Sequence, residues 1–416
     1  MIAKKGYLLG RCAVVGVLAV ALAATACSSS GGKGTAGKSG AIAPIVIGGA
    51  AATTGQVYNE PELQVGLEAA VSSINAAGGV NGHPLQLKFC DTQFDANKEI
   101  SCARQLVADK VAAAFMPEFL ADASGSAYKV LDQAKIPQIG TSGSLPSSLK
   151  DPYSYPTSSG LPGWFYGNMA ALIAAGSRKF SVIDAAGQPS AQFASQLEIQ
   201  ALKLAGITDV THVTWDPTSD PTGDAAAAKA VSSGADGIGL AMATQLMPRI
   251  IKSVKQASYT GRMATVSSIF PQSLITQLGA AADGIYVVSQ IGFLTDDKNP
   301  GVARYAADLK KFKPGSEPLD IGLYSWSAVQ LFAAAAQSLA TFTPSSIKQA
   351  LDSLSSPVDI GSVAPWAVAG RTSPFPDYPR VVNPTVQIGI VENGAVVPDG
   401  KGFVNPIDLL TARPTG

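Results

Sequence analysis

Short apolar runs alternate with longer alanine-rich segments along the chain from Ile45 onward. The short runs are rich in β-branched residues, which favour strands, while the longer segments repeat apolar residues at helical spacing. One strand and one helix recur about every thirty residues, which is typical of a parallel sheet covered by helices. The predicted strands are 45–49, 85–90, 112–116, 137–140, 180–184, 209–214, 237–241, 262–266 and 284–288. The pattern therefore predicts an α/β fold.

Two predicted helices have clear apolar faces. The first face is formed by Leu63, Leu67, Val71 and Ile74. The second is formed by Leu197, Ala201 and Leu204. Gly206 follows the second helix and is typical of a helix C-terminus, where a positive φ is needed.

The βα rhythm is interrupted by segments rich in turn residues at 151–163, 289–300 and 365–384. If each is a crossing between lobes, one lobe comprises 41–157 plus 292–364 and the other 158–291 plus 365–416. A chain of this length exceeds the roughly 250–300 residues at which single cores stop growing, which also favours two lobes. Asn393-Gly394 predicts a terminal hairpin, because this pair supplies the positive φ angles of a tight turn.

The N-terminus has the features of an export signal. Lys4, Lys5 and Arg11 precede an apolar run that ends in Ala24-Thr25-Ala26-Cys27, and small residues directly before a cysteine resemble the lipobox of bacterial lipoproteins. We expect a signal peptide over 1–26, lipidation of Cys27 and a Gly/Ser-rich tether over 27–40, holding the protein at the outer face of the cell membrane. An ordinary signal peptide or a short membrane anchor is the alternative.

Composition narrows the class of protein further. Only 14% of residues are charged and 46% are hydrophobic, which argues against disorder. Removal of the signal takes away three basic residues and leaves a net charge of −3, so nothing favours nucleic acid as a partner. Two cysteines remain after Cys27, and in an exported chain Cys90 and Cys102 are expected to form a disulfide; two buried free thiols are the alternative.

Several segments resemble type I periplasmic binding proteins of the branched-chain amino-acid (Leu/Ile/Val) class, the solute receptors of ABC importers. The strongest is INAAGGVNGHPLQLKFCDTQFDANKEISCARQLVADKVAAAFMPEF, which includes the cysteine pair. Ile136–Ser144 and the helix from Trp326 match as well. The resemblance implies two Rossmann-like lobes joined by three crossovers that close on a ligand at the strand ends. An ABC permease is the implied partner.

The resemblance also implies candidate ligand-binding residues, which lie in loops after strands. Thr141, Ser142 and Ser144 lie in a hydroxyl-rich loop directly after a strand, and Ser144 matches the family's hydroxyl position for the ligand carboxylate. A Ser/Gly turn without a ligand is the alternative. Elsewhere the family's pattern is replaced, because Ser190 stands at a tyrosine position, Thr244 at a common aromatic position and Ser267 at the acid that binds the ligand ammonium. A standard α-amino acid is therefore disfavoured.

Further candidates come from the residue types themselves. Glu118 and Asp122 place carboxylates in the loop after the third strand, where they would repel a ligand carboxylate and suit a cationic or hydroxylated ligand. Tyr58, Phe119 and Trp164 supply aromatic faces of the kind that small-molecule sites use. Solvated surface is the alternative for the acids, and core packing for the aromatics.

Catalysis is disfavoured by the shortage of suitable groups. The chain has two histidines and lacks a GxSxG motif, so neither a nucleophile with its base nor a zinc site can be assembled. We expect no cofactor and no metal. A sensor lipoprotein that presents the ligand to a signalling partner remains an alternative to an importer component.

Overall fold

The computed structural model describes residues 42–55, 58–122, 124–141, 143 and 145–412. The predicted signal peptide (1–26), the lipidation site Cys27, the tether (27–40), Ser142 and Ser144 lie outside the described residues. No helix in the described part is long and apolar enough to cross a membrane.

Twelve strands and twelve α-helices are assigned in this part of the chain. In order they are β1 (Ile45–Ala51), α1 (Pro61–Ala76), β2 (Leu85–Asp91), α2 (Ala96–Ala108), β3 (Ala114–Pro117), α3 (Ser126–Gln133), β4 (Gln138–Ile139), β5 (Ser154–Tyr155), α4 (Gly160–Ala174), β6 (Phe180–Ala185), α5 (Pro189–Leu204), β7 (Val210–Trp215), α6 (Asp224–Ser232), β8 (Gly237–Ala241), α7 (Met247–Gln256), β9 (Arg262–Val266), α8 (Gln272–Leu278), β10 (Tyr286–Ser289), α9 (Pro300–Phe312), α10 (Asp320–Ala335), α11 (Pro344–Asp352), β11 (Gln387–Glu392), β12 (Ala395–Pro398) and α12 (Pro406–Thr411).

The strands form two sheets. The first is parallel throughout, in the order β2-β1-β3-β4-β5, and the second has the order β12-β11-β10-β9-β8-β6-β7. In the second sheet β6 to β10 are parallel, and the terminal hairpin β11–β12 adds two antiparallel strands at one edge. The predicted α/β class with two parallel-sheet cores is confirmed, and so is the hairpin.

Helices from two parts of the chain bury the first sheet. α1 packs along α10, and residues of α9, α10 and α11 join β1, β3 and β4 in one apolar core. Trp326 of α10 is fully buried in this core. The chain therefore passes from the first sheet to the second after β5, returns after β10 and crosses again after α11.

Hydrogen bonds tie these crossings together. The Gln290 side-chain oxygen accepts from the Ser158 hydroxyl at 2.5 Å and from the Gly160 N–H at 2.9 Å, which links the first crossing to the second. Asn383 Nδ2 donates to the Thr157 carbonyl at 3.0 Å, which links the third crossing to the first. Because all of these side chains are buried, the crossings form one bonded unit.

The structure differs from the sequence predictions in two places. Ser154–Tyr155 pairs with β4 as a fifth strand, although its surroundings were predicted to be a connecting segment. Leu204, predicted on a buried helix face, is 46% exposed, because α5 ends there and Gly206 turns the chain with φ +80°.

The predicted disulfide between Cys90 and Cys102 is present and joins β2 to α2.

Candidate ligand-binding site

The described candidate residues lie where parallel strands end. In the first sheet, Tyr58 follows β1, the segment Glu118–Asp122 follows β3 and Thr141 follows β4. In the second sheet, Ser190, Thr244 and Ser267 follow β6, β8 and β9. The carboxyl ends of parallel strands share one edge of a sheet, so each sheet gathers its candidates at one edge.

Two carboxylates hold the first-sheet loops in place. Asp91, at the end of β2, accepts from the Thr53 N–H at 2.8 Å and from the Thr54 hydroxyl. The buried Glu99 of α2 accepts from the N–H groups of Ala121 at 2.9 Å and Asp122 at 2.6 Å. Burial raises the pKa of Glu99. These contacts fix the backbone on which the candidate side chains stand.

Phe119 and Asp122 both have structural contacts within their own loop. Phe119 is fully buried and packs edge-on against Tyr128, with ring centroids 5.1 Å apart. Asp122 is 4% exposed and accepts from the N–H groups of Ala127, in the first turn of α3, and Ser124 at 2.7 and 3.2 Å. Both side chains therefore shape the loop after β3.

Tyr58 and Glu118 belong to a group of acids and tyrosines at this edge. The Tyr58 hydroxyl bonds the Glu60 side chain, and its ring lies 5.2 Å from Phe94. Burial raises the pKa of Tyr58 well above its ordinary value, and the nearby Glu60 and Glu118 carboxylates raise it further. Glu118 is 5% exposed and also lies near Tyr324. The pKa of Tyr324 is raised mainly by burial, and Glu118 raises it further.

The backbone just before Glu118 is irregular. Met116, two residues earlier, has φ +44°, a left-handed conformation that is strained for a residue with a side chain. The register between β1 and β3 also shifts between Gly49 and Ala50. Strain of this kind at a strand end is typical of segments whose conformation serves a site.

Thr141 and Trp164 lie close to the crossings. Thr141 is fully buried; its hydroxyl bonds the Ser154 hydroxyl at 2.7 Å, and its carbonyl accepts from the Tyr324 hydroxyl at 3.2 Å. Trp164 of α4 is 8% exposed, and its Nε1 has no hydrogen-bond partner among the described residues. An indole N–H that is buried in this way remains able to donate to a ligand.

The second-sheet candidates differ in accessibility. Ser190 is exposed in the first turn of α5, and Thr244 is half-buried. The loops that carry them are joined, because the Gln188 side chain accepts from the Ala243 N–H at 2.9 Å. Ser267 is 7% exposed and donates to the Ser289 hydroxyl at 3.1 Å.

One contact connects the two edges. The Ser267 side chain also interacts with the carboxyl group of Asp320, the first residue of α10, which packs on the first sheet. Burial raises the pKa of Asp320. The end of β9 in the second sheet therefore touches the helix layer of the first.

Glu60, Tyr324 and Asp320 were not among the residues predicted from the sequence. Glu60 precedes the Pro that begins α1, and Asp320 begins α10, so both have the sequence pattern of an ordinary helix start, where acids are favoured by the helix dipole. Tyr324 lies within an apolar helix and has the pattern of a core residue. No group of three or more metal-ligating side chains occurs among the described residues.

The comparisons with known proteins agree with this architecture. A family model described as periplasmic binding protein matches residues 44–373. The chain belongs to the periplasmic binding protein family. The fold is the type I form, with two lobes, and family membership indicates solute binding outside the cytoplasm rather than catalysis.

Solved structures of low sequence identity share this fold. An extracellular ligand-binding receptor from Verminephrobacter eiseniae is 20% identical, with a TM-score of 0.71 over 85% of this chain and 100% of that chain. A leucine-binding protein from Thermotoga maritima is 18% identical, with a TM-score of 0.67 over 88% and 99%. A branched-chain amino-acid transporter substrate-binding protein from Streptococcus pneumoniae, solved with isoleucine, is 18% identical, with a TM-score of 0.65 over 87% and 100%.

A curated relative matches over a shorter stretch. The Leu/Ile/Val-binding protein homolog 3 of Brucella melitensis is 39% identical over 74 residues, which is 18% of this chain and 20% of that protein. The predicted resemblance to branched-chain amino-acid binding proteins is confirmed at the level of family and fold.

Proposed function

We propose that this periplasmic binding protein is a lipoprotein that captures a small organic solute between the strand ends of its two sheets and delivers it to an ABC importer. The proposed lobes are 41–157 plus 292–364 and 158–291 plus 365–416, with the bonded crossings as the hinge. The observation that carries the proposal is the contact of Ser267 with Asp320, which brings residues of the two sheets to one place.

The proposed ligand presents a cationic or hydroxyl group to the first sheet. Amino-acid binding is expected for this family, but Glu60, Glu118 and Asp320 surround that side of the proposed site with carboxyl groups. Among the described residues, no lysine or arginine contributes to the pKa shifts of Glu60 or Asp320. A ligand carboxylate would meet repulsion there, whereas an ammonium or hydroxyl group would be held by these acids and by the Tyr58 hydroxyl.

A thermal-shift screen of the purified protein tests this proposal. Amines, amides, polyols, aromatic acids and the branched-chain amino acids are compared at equal concentration, because a ligand that binds only the folded state raises the melting temperature. We expect the largest shifts from cationic or hydroxylated compounds. A largest shift from leucine, isoleucine or valine would refute the ligand class but support capture of a solute, whereas no shift from any compound would count against capture itself.

Calorimetry of the compound with the largest shift then tests whether the bound ligand is cationic. Burial raises the pKa values of Glu60 and Asp320, and a bound cation would lower them. At a pH where these groups are still partly protonated, binding of a cationic ligand should therefore release protons. Titrations in two buffers with different ionisation enthalpies measure the protons exchanged. Proton uptake on binding would contradict a cationic ligand, and Glu118→Gln and Asp320→Asn should each weaken binding relative to the exposed control Glu317→Gln.

The anchor and the importer role have separate tests. Mass spectrometry of the exported protein should find an acylated Cys27, and Cys27→Ser should release the protein from membranes. Deletion of the gene should abolish uptake of the identified solute; unchanged uptake with a lost transcriptional response would instead favour the sensor.

A further inference from the structure

A cluster of ionisable groups lies in the second sheet's helix layer, apart from the proposed ligand site. It contains Asp184 at the end of β6, Ser195 and Glu198 on α5, His212 on β7 and Asn168 on α4. Asp184, Glu198, Ser195 and Asn168 are fully buried, and the His212 side chain is 33% exposed. A packed core rarely contains two carboxyl groups, so this pair needs an explanation.

Each carboxyl group has one oxygen that is bonded and one that is not. Asp184 Oδ2 accepts from Ser195 Oγ at 2.6 Å and lies 2.7 Å from His212 Nε2. Glu198 Oε1 accepts from Asn168 Nδ2 at 2.8 Å. Asp184 Oδ1 and Glu198 Oε2 are buried and have no hydrogen-bond partner among the described residues.

The two carboxyl groups lie in the same part of the core, between α5 and the strands β6 and β8. Ser195, which bonds Asp184, is three residues before Glu198 on α5, so both side chains occupy the same helix face. Gly239 of β8, the strand next to β6, leaves space for the carboxyl group: a Cβ at this glycine would lie 2.4 Å from Glu198 Oε2. Asp184 and Glu198 also interact electrostatically.

The cluster does not have the geometry of a hydrolase. In a Ser-His-Asp triad the imidazole uses one nitrogen for the acid and the other for the serine. Here the same nitrogen, His212 Nε2, faces both Asp184 and Ser195, at 2.7 and 3.5 Å. Ser195 instead donates to the acid, so its oxygen is not activated as a nucleophile.

The described basic groups around Asp184 and Glu198 can neutralise only one of the two carboxyl groups. His212 is the one basic group in contact with it, and among the described residues no lysine or arginine pairs with either acid. The segments α4 and β8, which pack against α5, contain no charged residue, and α12 has only the exposed Asp408. Burial raises the pKa of Glu198 to about 8, so this group keeps its proton at neutral pH.

We propose that Asp184 and Glu198 form a buried, electrostatically coupled carboxyl pair in which Glu198 stays protonated, and that this pair makes the packing of α5 on β6 dependent on external pH. The neutral Glu198 is tolerated near Asp184, whereas its ionisation would place a second, uncompensated carboxylate in the core. Asp184 immediately precedes the strand-end loop that leads to Ser190. Loss of the proton should therefore loosen this loop.

The sign of the effect follows from the direction of the pKa shift. The native pKa of Glu198 is raised from an unfolded value of 4.5 to about 8, so the native state holds a proton that the unfolded chain has released. The stabilisation is complete below about pH 4.5 and is lost as pH rises toward about 8, by up to about tenfold in the folding equilibrium constant per pH unit. Glu198→Gln removes this titration and preserves an acceptor for Asn168.

The test uses the full exported protein without ligand, so it is independent of the proposed solute. Melting temperature and hydrogen exchange of peptides covering 184–200, corrected for intrinsic exchange rates, are followed from pH 5 to pH 9. In the wild type we expect protection of these peptides to fall at least about tenfold from pH 6 to pH 9. Glu198→Gln should retain protection and melt higher than the wild type at pH 8.5, whereas the exposed control Glu317→Gln should follow the wild type.

Identical pH profiles in Glu198→Gln and the wild type would overturn the proposal. If the variant does not fold, infrared spectroscopy of the wild type decides the question. A protonated carboxyl band present at pH 7 and lost as pH rises past about 8 supports the pair, and its absence at pH 7 refutes it.

Discussion

Replacement of Gln290 should show whether the crossings act as one bonded unit. Gln290 is 2% exposed, and its single side-chain oxygen serves both the Ser158 hydroxyl and the Gly160 N–H. Gln290→Leu keeps most of the volume but removes the acceptor. Ser158 is 1% exposed, and Gly160 is buried at the start of α4, so neither donor can turn to water.

The expected cost is the sum of two unmade hydrogen bonds. A buried donor without a partner costs about 1–3 kcal/mol, so the variant should lose about 2–6 kcal/mol of unfolding free energy. Urea unfolding followed by tryptophan fluorescence measures this loss. The exposed Gln277→Leu serves as the control and should stay within about 0.5 kcal/mol of the wild type.

A loss in Gln290→Leu no larger than that in the control would refute the reasoning. It would mean that the first and second crossings are held by their packing alone. The same variant should also change the small-angle scattering profile of the ligand-free protein, because the proposed hinge would have lost its link between two crossings.

Two further predictions concern the first sheet. The double variant Cys90→Ser, Cys102→Ser should lose about 3 kcal/mol of unfolding free energy, since the disulfide closes a loop with a sequence separation of 12. A difference between the wild type and the variant that persists when both are measured in reductant would show that the loss does not come from the disulfide. Asp122→Ala should cost about 1 kcal/mol, because the Ala127 N–H in the first turn of α3 loses its acceptor. Asp122→Asn should recover most of that loss, and an alanine variant as stable as the wild type would show that the contact contributes nothing.

The fold could be predicted because its signals are local and repeated. Each strand of β-branched residues followed by an amphipathic helix indicates the same βα unit, and this unit recurs in both sheets. The two-residue strand β5 has no such signal, because Ser154–Tyr155 is held by its neighbours: by pairing with β4 and by Arg380, whose Nε donates to the Ser154 carbonyl at 2.7 Å. Leu204 keeps the helical spacing of the apolar residues, but it is the last residue of α5 and its side chain is exposed.

The loops that carry the candidate residues could be located from the sequence, but the contacts of these residues could not. Topology alone places the loops after parallel strands at one edge, which is why Tyr58, Glu118 and Ser267 could be selected. The partner of Ser267 could not be found in this way, because Asp320 is 53 residues further along the chain and begins a helix of the other sheet's layer. The buried contact of Phe119 could not be predicted either. Its partner Tyr128 lies on α3, and the local sequence does not show that α3 packs against the loop after β3.

The carboxyl groups near the first sheet fall into two kinds, and this distinction decides where a ligand could be recognised. Asp91, Glu99 and Asp122 accept hydrogen bonds from backbone N–H groups, so their negative charge is used to hold loops. Glu60 and Asp320 instead face hydroxyl groups of side chains, and burial raises their pKa values with no lysine or arginine of the described chain acting on them. A carboxyl group in the second situation gains more from a cationic or hydroxylated partner than one already satisfied by the backbone, since it still lacks compensation for its burial. Recognition of the solute should therefore depend on the second kind, whereas substitutions of the first kind should act through the stability of the loops.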